Sequence, residues 1–229
     1  GWADKNARYL DHALDLLTEA TENCLAAAGM TARDVDALVT VSTTGIATPS
    51  LDARLFERLP FRAETTRLPI FGLGCAGGVN GLARAAEIAQ ARPGAKVLFL
   101  VVELCGLTFR GADLSKSNVI ATALFGDGAA AALISTDGPG LRITRSGEHT
   151  WPKSLDVMGW TVEEDGLGVV PAGKRSSPPW KRSSAGNSAG WSIAARCCAI
   201  TATCRRRRCC SSCAAPWTPG SPTSPAGGP

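Results

Sequence analysis

The chain has 229 residues and a formal net charge of +4, long enough for one large core or two small ones. Charge is unevenly placed: residues 1–170 hold all 20 acids against fifteen Lys and Arg, a net −5, whereas residues 171–229 hold nine basic side chains and no acid. The global balance therefore says nothing reliable about an acidic partner, and the longest apolar runs, such as Val97–Val102, fall far short of the ~20 residues of a membrane-spanning helix.

Leu10, Leu14, Leu17, Thr21, Cys24 and Leu25 recur at helical spacing and predict a helix over 4–28, with Gly29 as its stop. Ala37–Ser42 reads as an apolar strand, followed by turn chemistry at Gly45 and Pro49. Ser50 is placed to cap a helix running to Leu59. Leu68–Phe71 predicts a short strand, then a glycine-rich turn, then a helix over Val79–Ala91 that Pro93-Gly94 breaks. Lys96–Val102 is a buried strand, Ser117–Leu124 a further helix, and Ala129–Ser135 and Leu141–Ser146 two more strands. Strands alternating with helices of this length predict an α/β fold with a largely parallel, buried sheet.

From Pro171 onward the composition changes. Residues 171–229 lack Leu, Val, Phe, Met, Asp and Glu but hold eight Pro, six Cys and three Trp, too little apolar surface to offset the entropy of ordering. Two origins fit: a natural disordered basic tail, or a reading-frame slip near Val170 in a GC-rich gene, which yields Ala, Arg, Gly, Pro, Ser, Cys, Thr and Trp. Arg205–Arg208 has no folded platform or interleaved aromatics that would make it a nucleic-acid patch. Cys204, Cys209, Cys210 and Cys213 contain one C-x-x-C, but the adjacent cysteines and the missing second pair argue against zinc. No metal is expected. Cys24, Cys75 and Cys105, the three thiols before the tail, suit a reducing compartment, and no leader-like pattern opens the sequence, so a soluble cytoplasmic protein is expected.

The chemistry concentrates at Phe71-Gly-Leu-Gly-Cys-Ala-Gly-Gly-Val-Asn80, where three readings stand. A tight strand-to-helix turn can simply bury a small thiol. Gly72, Gly74 and Gly77 match G-x-G-x-x-G, and Glu103 ends the next strand where a dinucleotide fold places its ribose-binding acid; this is an NAD-dependent oxidoreductase reading. In the third reading Cys75, at a helix N-terminus, faces unsatisfied N–H groups that favour thiolate and can hold an oxyanion during acyl transfer.

Flanking motifs favour the third reading. Val41-Ser-Thr-Thr-Gly-Ile-Ala-Thr-Pro-Ser50, Gly74-Cys-Ala-Gly-Gly78, Thr108-Phe-Arg-Gly111 and Ala123-Leu-Phe-Gly-Asp-Gly-Ala-Ala130 occur in order over about 120 residues, and Trp151-Pro with Asp156-Val-Met-Gly-Trp160 follows. Together they resemble the type III polyketide synthases, the chalcone and stilbene synthase family, in its bacterial branch. FGDGA alone is shared with ketoacyl synthase III enzymes, the nearest enzyme alternative; TFRG favours the polyketide synthases.

The resemblance implies a thiolase-like fold in part, its N-terminal half and the start of its C-terminal half over residues 1–170, with a disordered tail over 171–229. It implies a homodimer, an acyl-CoA starter loaded on Cys75, and decarboxylative condensation with malonyl-CoA, with no cofactor beyond the CoA thioesters. Phe125 would be the gatekeeper between the CoA tunnel and the reaction cavity. Thr44, Glu103, Cys105 and Thr108 would line or support that cavity, and Thr48 would cross the dimer interface. Each has a plain alternative: Phe125 as a core aromatic, Glu103 as a solvated strand-end charge, Thr44 as a turn cap, Cys105 as inert packing.

The family completes its site with a histidine and an asparagine from the C-terminal half of the sheet, and here the sequence departs from the pattern. Of its two histidines, His12 falls on the first helix and His149 lacks the expected glycine-proline context. Asn187 lies too few residues after Cys75. The family's opening strands would also precede residue 1. Impaired turnover is therefore expected, and an inactive fragment is the remaining alternative.

Overall fold

The computed structural model describes residues 1–150, 152, 155, 158–170 and 193–196. Helix α1 (Trp2–Ala28) buries one stripe made of Tyr9, Ala13, Leu14, Leu17, Ala20, Thr21, Cys24 and Leu25. It stops where expected: Gly29 takes φ 66°, a left-handed conformation free of Cβ strain only in glycine, and its amide donates to the Ala26 carbonyl at 3.0 Å.

The chain continues through β1 (Ala37–Val41), α2 (Leu51–Leu55), β2 (Thr66–Ile70), α3 (Gly77–Ala91) and β3 (Val97–Leu104). Two short helices follow, α4 (Cys105–Thr108) and α5 (Lys116–Leu124), then strands β4 (Asp127–Ser135), β5 (Leu141–Ile143), β6 (Gly159–Glu163), β7 (Gly166–Val170) and β8 (Ile193–Arg196). Six strands form one sheet in the order β2-β1-β3-β4-β8-β5, and β6 and β7 pair as a separate antiparallel hairpin.

Strand alternation sorts the core into two layers. Leu38, Leu98, Leu100, Val102, Leu104, Ala129, Ala131 and Leu133 face α1 and α2. Val39, Val41, Val97, Phe99 and Ile134 face Ala85, Ala86 and Ala89 of α3. Helix α3 lies close against the strands because it carries glycine at the contact: a Cβ at Gly81 would stand 2.5 Å from Val41 and 2.7 Å from Phe99. That approach fixes where the N-terminus of α3, and hence the turn before it, meets the end of β1.

The expected sheet was largely parallel; the observed sheet is mixed. Strands β2, β1 and β3 run parallel, while β4 pairs antiparallel with β3, and β8 antiparallel with both β4 and β5. The cause is the β3–β4 connection. Its helices α4 and α5 pack near β7 instead of crossing a sheet face, so the chain re-enters the sheet from the end it left.

Other boundaries shift too. Ser50 occupies the N-cap position of α2 without a capping side-chain bond, and the helix closes at Leu55 instead of Leu59. Strand β2 begins at Thr66 and tolerates Pro69 because it is a sheet edge. The β6–β7 hairpin was not among the expected elements. Strand β8 lies inside the segment expected to be disordered; Asn187, Arg205–Arg208 and Cys204, Cys209, Cys210 and Cys213 lie outside the described residues.

Candidate active site

Three parallel strands end on one side, where a carboxylate on the third holds the loop that leaves the first. Glu103, expected just past its strand, lies inside β3. Its carboxylate accepts from the Thr43 amide at 3.0 and 3.1 Å, the Thr44 amide at 3.0 Å and the Thr44 hydroxyl at 2.7 Å. Thr44 Oγ1 in turn accepts from the Leu104 amide at 2.8 Å. This corrects the reading of Glu103 as a solvated strand-end charge, and it removes the free acid that a dinucleotide site needs. Thr44, 4% exposed, is more than a turn cap because it joins β1 to β3.

The same loop reaches the cysteine turn. Residues Gly74–Ala76 form a short 3-10 turn that runs directly into α3, and Cys75 sits on it with an exposed thiol. Gly74 has φ 53°, and its amide donates to Thr43 Oγ1 at 3.1 Å. The expectation of Cys75 at a helix N-terminus is thus met through a tighter turn two residues ahead of the α-helix proper. Behind the loop the Tyr9 hydroxyl donates to Ser42 Oγ at 2.7 Å. Burial pushes the Tyr9 phenol up to about 12. The Tyr9 ring lies 2.2 Å from where a Cβ at Gly45 would be, so only glycine fits there.

Next to this clamp opens a cavity of about 340 Å³ lined by Cys105, Thr108, Phe109, Asn118, Phe125, Trp160, Leu167 and Val169, among others. Of the sequence-predicted residues, Phe125, Cys105 and Thr108 therefore share one wall system, while Thr44 and Glu103 brace it from behind. Burial, then the negative charges of Glu103 and Asp127 and the nearby Cys75, pushes the Cys105 thiol up to about 12, so Cys105 is a neutral thiol at physiological pH. Thr108 donates its hydroxyl to the Cys105 carbonyl at 2.8 Å. Cys75 is not on the lining of this cavity, and neither are His12, exposed on α1, and His149. Thr48 is exposed on the loop between β1 and α2, preceding a cis bond to Pro49.

Sequence reasoning missed four contributors: Trp160, Asp127, Arg110 and Lys5. Trp160 meets Phe125 with ring centroids 5.6 Å apart and planes tilted 48°, so the expected gatekeeper has an aromatic neighbour from the hairpin. Asp127 accepts from the Gly106 amide at 2.6 Å and fixes the start of α4. Arg110 donates from Nε to Asp165 at 2.7 Å and pairs with Asp113 at 3.1 Å, while Lys5 Nζ donates to the Phe109 and Asp165 carbonyls at 2.5 and 2.6 Å. These bonds hold the hairpin over the 108–111 loop. The alternation of Trp160 and Val162 before Glu164-Asp165-Gly166 was the available signal for that hairpin.

Comparison with known proteins places this arrangement. Residues 5–138 match the model of the N-terminal domain of chalcone and stilbene synthases. The chain belongs to the chalcone and stilbene synthase family. It is 41% identical over 181 residues to a putative chalcone synthase of Bacillus subtilis, covering 73% of this chain and 50% of that protein. It is 43% identical over 171 residues to the 1,3,6,8-tetrahydroxynaphthalene synthase of Streptomyces peucetius subsp. caesius, covering 72% of this chain and 45% of that protein. The crystal structure of the corresponding synthase from Streptomyces coelicolor A3(2), a bacterial type III polyketide synthase, superposes with a TM-score of 0.71 at 32% identity over 75% of this chain and 50% of that one. The fold is thus the thiolase-like fold of chalcone and stilbene synthases, in part: the chain spans about half the length of the curated relatives it matches. No helix among the described residues is long and apolar enough to cross a membrane.

Proposed function

We propose that this chain carries the acyl-accepting centre of a type III polyketide synthase, with Cys75 as the nucleophile. Its thiolate attacks the carbonyl of an acyl-CoA, the thioester bond to CoA breaks, and the acyl group remains on Sγ while CoA leaves as the thiol after taking a proton. The observation that carries the reading is the exposed Cys75 on a glycine-bounded turn that opens a 15-residue helix, held by the Thr43–Glu103 clamp beside a cavity walled by Phe125. Phe125 would divide the CoA side from the reaction cavity, and Cys105 and Thr108 would contact the bound acyl chain.

The second half-reaction of the family is decarboxylative condensation with malonyl-CoA, and it needs a base beside the thiolate. Neither histidine of this sequence lines the cavity. The proposal therefore assigns acyl loading to this chain and little condensation. The test is to supply acyl-CoA and malonyl-CoA together and follow free CoA and carbon dioxide separately. One equivalent of CoA without matching carbon dioxide supports the reading; sustained malonyl-CoA-dependent turnover contradicts the impairment.

The same reading includes a cytoplasmic homodimer that uses CoA thioesters and no further cofactor. Support for the dimer comes from exposed apolar side chains, Leu68 on β2 (an edge strand among the described residues), Phe71 just after it and Val79 on α3, together with exposed Thr48, expected to reach the partner.

A further inference from the structure

A second, smaller space of about 70 Å³ lies behind the clamp loop, bounded by Tyr9, Thr40, Ser42, Asp52, Ile70 and Phe71. It is far too small for an acyl chain. It opens partway to the surface beside exposed Phe71, yet two of its polar side chains, Asp52 and Thr40, are buried. Asp52 is 0% exposed, and its Oδ2 meets the Arg67 guanidinium at 3.2 Å, but its Oδ1 has no hydrogen-bond partner among the described residues. Thr40 Oγ1, 4% exposed, is likewise without one. Ser42 Oγ accepts from Tyr9, which leaves its own proton to donate.

We propose that this space is a built site for ordered water, joining Asp52 on α2 to Thr40 and Ser42 at the end of β1. Three arguments select water. A buried carboxylate oxygen without a hydrogen-bond partner is costly, so the site favours a donor. Arg67 already balances the Asp52 charge, which disfavours a second cation and favours a neutral ligand. A cavity holds water once it offers about 10–15 Å³ and two to four polar partners, and this one exceeds the first and supplies the second. The resulting chain runs from the Tyr9 hydroxyl to Ser42, then through water to Asp52, and ties together both ends of the 42–52 segment that carries Thr43, Thr44 and Thr48.

The test is a crystal structure of the full chain at a resolution that orders solvent, repeated for Thr40→Val, which keeps strand shape and removes one hydroxyl. Water within about 3.2 Å of Asp52 Oδ1 and of a Thr40 or Ser42 hydroxyl supports the proposal, as does its displacement or loss in Thr40→Val. A dry space, Asp52 turned with both oxygens onto Arg67, or a side chain of a second copy seated there overturns it. Magnetisation transfer from long-lived water to the Thr40 and Ser42 hydroxyls of the unsubstituted chain reads the same site without a variant, and its absence at both hydroxyls also overturns the proposal.

Discussion

The Gly74 amide donates to Thr43 Oγ1 at 3.1 Å, and the Thr43 amide in turn donates to the Glu103 carboxylate at 3.0 Å. The backbone beside Cys75 therefore hangs from a loop after β1 that a side chain on β3 holds in place. Thr43→Val removes only the first of these bonds, at a half-buried position. It is expected to leave thermal stability nearly unchanged while slowing acylation of Cys75. A pre-steady-state mass or thiol-release measurement checks this, and equal loading rates would detach Thr43 from the nucleophile turn.

Thr44→Val should behave differently. Thr44 Oγ1 donates to Glu103 and accepts from the buried Leu104 amide, so the variant strips that amide of its partner, while Glu103 keeps the Thr43 and Thr44 amides. A loss of about 1–3 kcal/mol is expected in urea unfolding. The contrast between adjacent threonines separates a positioning bond from a structural one.

Gly45→Ala should be severe, because its Cβ would meet the fully buried Tyr9 ring at 2.2 Å, and Tyr9 is held by Ser42. Overpacking of this kind costs about 1–3 kcal/mol or more, read as a lowered unfolding midpoint or loss of soluble protein. Gly78→Ala is the matched control. A Cβ there meets nothing within 4 Å, so the change should leave stability unchanged or slightly raised.

How much of this could be read from residues alone depends on range. Gly29 as a helix stop, the β1 and β3 strands and the turn at Cys75 are local patterns, and they were legible. The 43–74 and 44–103 contacts join segments 31 and 59 residues apart, and no spacing in the sequence announces them. Phe125 was legible only through its family motif; its meeting with Trp160 depends on a hairpin whose short alternation was overlooked. The antiparallel β4 was misjudged because helices between strands suggested a crossover, and α4 and α5 do not make one.

Alkaline pH should weaken the fold. Burial holds the Cys105 thiol at about 12 against an ordinary 9.0, and the Tyr9 phenol at about 12 against 10.0. Both folded values lie above the unfolded ones, so the folded chain keeps protons that the unfolded chain releases. Their contribution is whole below about pH 9 and is lost progressively toward about pH 12. Urea midpoints should fall across that window, with a shallower slope in Cys105→Ala. At neutral pH, peptide-level alkylation should modify exposed Cys75 before Cys105 and buried Cys24.

Trp160→Ala should change which acyl groups fit. The indole lines the 340 Å³ cavity and contacts Phe125, so its removal widens the wall beside that ring. Long acyl-CoA thioesters should gain relative to short ones in adduct yield. An unchanged ratio would place the acyl chain elsewhere.

The central claim is that Cys75 accepts an acyl group, and intact mass after incubation with a panel of acyl-CoA thioesters tests it most directly. The expected result is a gain equal to one acyl group, mapped to the Cys75 peptide and absent in Cys75→Ala. A folded chain that gains no mass, or one whose gain survives Cys75→Ala, would contradict it.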